Sequence, residues 1–181
     1  MNIDELYQKT ITALERGDRA LIRFTKDELS ELVELLEKEI KLEKSQKLEK
    51  ILCLVDHAAT DEGRFAPAIV EVLQRNLPPR ILVFAINCAR KHIIQANFKR
   101  GHRLQGDFLI ILKNLLYSKH PEVVEWTLRT IEECGNQGVF FLQDLDKIKP
   151  APWKWFNPHQ RAVREIITLL ERRWSRFEKQ S

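Results

Sequence analysis

Apolar residues return every three or four positions along almost the whole chain, and strict two-residue alternation over a strand's length is hard to find. The pattern predicts an all-α protein. The first helix is expected over Ile3–Glu15, with Ile3, Leu6, Tyr7, Ile11 and Leu14 on one face and Gly17 where a C-terminal cap belongs. A second begins after Thr25, because Thr25 and Glu28 have the spacing of a capping box, in which hydroxyl and carboxylate satisfy amides that the first turn leaves unpaired. Leu29, Leu32, Val33, Leu36 and Ile40 form its stripe. Ser45 can cap a third helix, with Leu48, Ile51, Leu52 and Val55 facing the core and Asp61-Glu62-Gly63 as its exit. A fourth follows over about 65–75. Pro79 suits a first helical turn, and the run ILVFAINCA behind it is apolar around its circumference, which predicts a central fifth helix. The sixth covers about 107–117, the seventh starts at Pro121 and stops before Gly135, a short eighth follows from Val139, and the last begins at Asn157-Pro158.

The helix-starting prolines also mark a repeat. Aligning Pro79 with Pro121, a shift of 42, superposes PRILVFAINCARK on PEVVEWTLRTIEE. The same shift brings Ala66, Ile69, Val70 and Leu73 onto Phe108, Ile111, Leu112 and Leu115. A looser copy starts at Pro158, where a shift of 39 places Val163, Ile167 and Leu170 on Val124, Leu128 and Ile131. Periods near 40 built from paired helices are those of HEAT and armadillo arrays, in which one pair cannot bury its apolar face alone and stacks on its neighbours. On these residues the chain resembles the HEAT/armadillo family. The resemblance implies a short α-solenoid of about four antiparallel helix pairs: residues 1–44 form capping helices, residues 45–181 the pairs, and an irregular loop lies near 146–157. The Asp and Arg placements of a strong HEAT consensus are missing, and a non-repetitive helical bundle is the alternative.

A length of 181 residues is about one domain, enough to bury roughly 70% of the unfolded surface without disulfides or metals. With 44% apolar and 31% charged residues, the composition is neither disordered nor membrane-embedded. The uncharged apolar run Ile81–Ala89 is far short of the ~20 residues of a membrane-crossing helix, and MNIDELYQKT has no basic region followed by an apolar run. A cytoplasmic protein without membrane association is expected. Cys53, Cys88 and Cys134 are odd in number and far apart in apolar segments, as reduced buried thiols are.

The charge is unevenly divided. Residues 1–62 carry 10 Lys/Arg against 15 Asp/Glu, residues 63–120 carry 10 against 2, and residues 121–181 carry 10 against 9. Between Ile81 and Gly106 lie Arg90, Lys91, Lys99, Arg100 and Arg103, with two histidines and no carboxylate. Such a segment can neutralise phosphates or an acidic protein surface. It can equally solvate a helix end, where Lys99 to Arg103 would complement the macrodipole. A second candidate is KPAPWKWFNP, in which the prolines force a loop around Trp153, Trp155 and Phe156. Loop aromatics stack on a ligand or anchor a peptide. More often they plug a gap between helices, and Trp126, Phe140, Phe141 and Trp174 are the expected packing mates.

Chemistry is harder to find. Closely spaced glycines between a strand and a helix are missing, and Gly101 and Gly106 have the separation of a Walker loop but Asp107 stands where its Lys belongs. Serine nucleophile elbows and zinc-binding His-Glu-x-x-His helices are absent too. His57 and Asp61, four apart, could share a helix face and a metal, although helix-end hydrogen bonding by Asp61 and a solvated or core imidazole at His57 explain them more simply. His120 reads as a turn residue before Pro121. No catalytic residue, metal or cofactor is expected. The reading is a non-catalytic protein-interaction or scaffold module whose partner-binding residues are Arg90, Lys91, Lys99, Arg100, Arg103, Trp153 and Trp155, and whose partner is a protein with an acidic surface. The alternative is nucleic-acid binding, since some HEAT-like proteins resemble DNA glycosylases that grip duplex backbones. Oligomeric state is not written in the sequence.

Overall fold

The computed structural model describes residues 1–18, 20–42, 45–60, 63–151, 153 and 156–178. The chain is all-helical, with no strand among the described residues and a single isolated bridge between Ile22 and Ala58. Its contacts separate two compact units, Met1–His102 and the chain from Arg103 onward.

In the first unit, α1 (Ile3–Glu15), α2 (Lys26–Leu42), α3 (Ser45–His57), α4 (Ala66–Gln74) and α5 (Pro79–Ala89) follow one another. A π-helical turn, Arg90–Gln95, continues α5 into the short α6 (Ala96–Lys99). The expected boundary signals act as proposed. Gly17 and Asp18 donate to the carbonyls of Leu14 and Ala13 and close α1. The capping box is reciprocal: the Thr25 amide donates to Glu28 Oε2 at 2.8 Å, and the Glu28 amide donates to Thr25 Oγ1 at 3.3 Å. The Ser45 side chain lies outside the described residues, as do Asp61 and Glu62. α2 packs on α3 and α4 on α5, while α2 also meets α4 and α3 meets α5; α1 lies against α3. The apolar stripes meet in a core that includes Leu32, Leu36, Ile51, Leu54, Ile69 and Ile86. Each such side chain withdrawn from water contributes about 1.5–3 kcal/mol before the entropy of ordering it.

The second unit holds α7 (Gly106–Leu116), α8 (Pro121–Glu133), a 3₁₀ segment (Gly135–Phe141), α9 (Leu142–Ile148) and α10 (Pro158–Glu178). α7 packs on α8, α9 on α10, α8 on α10 and α7 on α9. His120 takes the extended conformation that the residue before Pro121 needs, and Asn157 Oδ1 accepts from the His159 and Gln160 amides at the start of α10. The eighth helix differs from expectation. It starts at Leu142, because the chain from Gly135 first winds a 3₁₀ segment, and only α9 beyond it is α-helical.

The aligned positions share an environment in part: Ala66 and Val70 are half-buried where Phe108 and Leu112 are buried, whereas other pairs agree. Ile69 and Ile111, and Leu73 and Leu115, are buried in their respective units, and so are Val124, Leu128, Ile131 and their partners Val163, Ile167 and Leu170. Trp174 and Phe141 fill the second core, as expected, but Phe140 is exposed and Trp126 half-buried. The loop aromatics depart from the expected plugging. Trp153 is 77% exposed and Phe156 99% exposed, while Trp155 lies outside the described residues. Elsewhere in this unit the Trp174 indole lies directly on Gly138, where an added Cβ would stand 2.2 Å from its ring.

Among the described residues of this unit Glu125 and Asp144 are buried carboxylates, and Asp144 is the more deeply enclosed. Asp144 accepts from the Tyr117 hydroxyl at 2.6 Å and pairs with Lys113 Nζ at 3.1 Å. Burial alone would push its carboxyl up, yet the bonds from Tyr117 and Lys113 outweigh that and hold it below the ordinary carboxylate range.

Gly138→Ala is therefore expected to destabilise the protein by about 1–3 kcal/mol in urea unfolding, because the ring must move out of a packed core. Gly106→Ala, which meets open space, stays within about 0.5 kcal/mol of wild type. Asp144→Asn should lose about 1–3 kcal/mol at pH 7. A carboxylate with a depressed native pKa stabilises the fold above its unfolded value of about 3.9, and the contribution fades as pH falls towards the native value. The gap between wild type and Asp144→Asn should thus narrow when unfolding is measured at pH 3.

Candidate functional site

The basic segment begins as the continuation of a buried helix. Ile51 to Val55 of α3 are all nearly inaccessible, so the second half of this helix is enclosed by protein and its last carbonyls need protein donors. The Ile22 amide donates to the His57 carbonyl at 2.8 Å. The π-helical turn supplies the others. Lys91 Nζ donates to the carbonyl of Asp56 at 3.0 Å and also to that of Ala58. His92 Nε2 lies 2.9 Å from the Val55 carbonyl, which can only accept, so this nitrogen carries a hydrogen. The His92 ring stands edge-on to Phe65 with centroids 5.0 Å apart.

Adjacent residues of an α-helix point well apart, which makes two consecutive side chains on one helix end unusual. The π turn changes this. The Ala96 amide donates to the Lys91 carbonyl five residues back, and the wider turn rotates the chain less per residue, so Lys91 and His92 both reach α3. The π turn is thus matched to the end of a neighbouring helix.

The remaining cations are placed differently. Arg90 is half-buried, and it and Lys91 lie within electrostatic reach of Asp56, whose carboxyl is pushed up by burial against the pull of His57, Lys91 and Arg90. An acidic residue from the first 62 therefore does lie against the segment. Lys99 and Arg100 are exposed at the end of α6, where cations complement the helix dipole. Gly101, at φ +70°, and His102 close that end by donating to the carbonyls of Phe98 and Asn97, a left-handed turn that favours glycine. The Arg100 guanidinium lies over Gly63, with its nitrogens 3.5 and 3.6 Å from a Cβ placed there. Phe98, 43% exposed on the same helix, was not among the sequence-predicted residues, and a lone apolar residue in a basic run gives little signal. Arg103 and Trp153 are both exposed and belong to the second unit.

Other chemistry is muted by burial. The three cysteines are free and buried, and burial raises Cys53 to about 11 and Cys134 to about 12, so both stay protonated and weakly nucleophilic at neutral pH. His57 Nδ1 lies 2.9 Å from the Cys53 carbonyl, a helix-end bond in place of the solvated or core imidazole expected; Asp61 lies outside the described residues. Among the described residues no three His, Cys, Asp or Glu side chains gather into a group that could hold a metal. No helix among them is long and apolar enough to cross a membrane. Several arginines of α10 have structural partners: Arg164 donates to the Pro150 carbonyl at 2.7 Å and Arg173 to Glu132 at 2.9 Å.

No protein-family model matches the sequence, no curated protein matches it, and no solved structure matches its fold.

Replacing Lys91 with Met removes the donors to Asp56 and Ala58 and is expected to cost about 1–3 kcal/mol in thermal unfolding, with faster amide exchange at the end of α3. Lys99→Met, at an exposed position, should stay within about 0.5 kcal/mol.

Proposed function

We propose that this chain is a non-catalytic interaction module: a short HEAT-like α-solenoid that docks an acidic surface of another protein, in the cytoplasm. Within each unit, helix couples pack side by side through both of their members, as neighbouring repeats of a solenoid do, and the buried residues recur at the shifts of 42 and 39. The reading rests above all on the end of α6. There Phe98, Lys99 and Arg100 are exposed on a helix that the π turn ties to α3, within a stretch from Ile81 to Gly106 that holds no carboxylate. A cation cluster held on a rigid base loses little freedom on docking, and its field steers an acidic partner towards it. The exposed Phe98 ring offers an apolar contact on the same short helix, and Arg103 extends the run of charge in sequence.

Lysate capture on immobilised protein, with mass spectrometry of the bound fraction, tests this. A specific protein should be recovered by wild type, and its recovery should fall about tenfold or more with Lys99→Glu, Arg100→Glu and Arg103→Glu combined, the fold being checked by circular dichroism. Recovery indifferent to these reversals would overturn the docking site. Duplex and single-stranded oligonucleotides should bind weakly at about 50 mM salt; tight binding there, lost steeply towards about 200 mM, would transfer the basic segment to nucleic acid.

A further inference from the structure

The second unit contains a cavity of about 470 Å³ that the docking reading does not use. It opens where four helix ends meet: the last residues of α7, the first turn of α8, the last turn of α9 with the chain leaving it, and the first turn of α10. Its charged lining residues are all lysines, Lys119, Lys147 and Lys149, and no carboxylate lines it. The two carboxylates close behind are already engaged. Glu171 holds Lys149 at 2.5 Å, and Asp144 holds Tyr117 and Lys113. Lys149 is thereby compensated; Lys147 is exposed within electrostatic reach of Asp144, and Lys119 is exposed at the rim. Ser118 and Gln160 add a hydroxyl and an amide as further donors.

We propose that this cavity binds a small organic phosphomonoester. The head group follows from charge, since a phosphomonoester carries about −1.5 to −2 at pH 7 and three strong acceptors, matching two ammoniums and two neutral donors. The ends of α7 and α9 bring negative helix-dipole ends to the hollow and the starts of α8 and α10 positive ones, so the sign is set by the lysines and not by the dipoles. The organic body follows from volume and wall. The cavity falls in the ~300–1,000 Å³ range of small-molecule sites, far more than a bare phosphate fills, and Val124, Val163 and Leu116 give it apolar wall. Helix-end neutralisation explains lysines in or just beyond the last turns of α7 and α9; it does not explain a roomy hollow with cations at its rim. The site lies wholly inside the second unit and stands or falls independently of docking at α6.

The full chain is titrated with phenyl phosphate, glucose 6-phosphate and AMP, alongside phenol, glucose, adenosine and inorganic phosphate, by isothermal calorimetry and ¹⁵N-resolved NMR. At least one phosphomonoester should bind with a Kd of about 1 mM or tighter, about tenfold better than its dephosphorylated counterpart and than inorganic phosphate. Amide shifts should centre on Ser118, Lys119, Lys147 and Gln160, and Lys119→Glu and Lys147→Glu, both at exposed positions, should each weaken binding about tenfold while leaving the fold intact. The proposal is overturned if no phosphomonoester binds at low salt, if the phosphate-free compounds bind equally well, or if the lysine reversals leave affinity unchanged.

Discussion

The first unit is organised around a helix whose second half is closed in by its neighbours up to a half-buried end at Asp56 and His57. α3 touches α1, α2 and α5, and five consecutive residues, Ile51 to Val55, are closed off from water. A helix buried in this way gains from every side chain, but its last carbonyls then lie where water has little access, and each one left unpaired would cost about 1–3 kcal/mol. The chain meets that cost with three elements distant in sequence: the Ile22 amide, the Lys91 ammonium and the His92 imidazole. The departure of the α5 extension from regular α-helix follows from this. An α-helical continuation would present Lys91 and His92 in more divergent directions, and the π turn is the local distortion that lets both serve one helix end.

That constraint divides the basic segment into parts with different work. Lys91 stabilises the fold by capping α3, and Arg90 is half-buried near Asp56. Only towards the end of α6 do the cations become surface features. The order matters physically. A surface cluster on a frayed helix end would lose much of any binding free energy in being ordered, whereas here the preceding turn is fixed to the core through Lys91 and His92 and the following turn is closed through Gly101.

Much of this was legible in the sequence because it is local. Periodicity, the Thr25–Glu28 capping box, the prolines at 79, 121 and 158 and the glycines after α1 and α6 act within a few residues of themselves, and the elements appear close to where those signals put them. The buried face of α3 was underestimated, since Leu54 lies off the stripe of Leu48, Ile51, Leu52 and Val55 and is buried because helices close on several sides. The π turn was invisible for a related reason: RKHIIQ has no distinctive composition, and its geometry answers to carbonyls more than thirty residues away. The 3₁₀ segment and the exposure of Trp153 and Phe156 are non-local as well. Gly138 accepts the Trp174 indole from thirty-six residues away, and the exposure of the loop aromatics likewise depends on packing that the local sequence does not encode.

The two units answer the same problem with different material, and the difference bears on where ligands fit. In the first, side chains from the α5 extension reach into the end of α3 and leave little space there. In the second, the ends of α7 and α9 face no such insertion, and their lysines stand around an open hollow. A cation at a helix end serves the dipole equally well at either place, so the dipole alone cannot decide whether the site is filled by protein or left accessible. What decides it is whether the carbonyls already have donors of their own kind. At the end of α7 the Tyr117 and Ser118 amides donate to the carbonyls of Asn114 and Leu115, which closes the turn locally and leaves Lys119 to face outward. At α3 the corresponding duty falls on Lys91. The same residue type is therefore structural at one helix end and available for an anion at another, and local turn hydrogen bonding, more than net charge, separates the two.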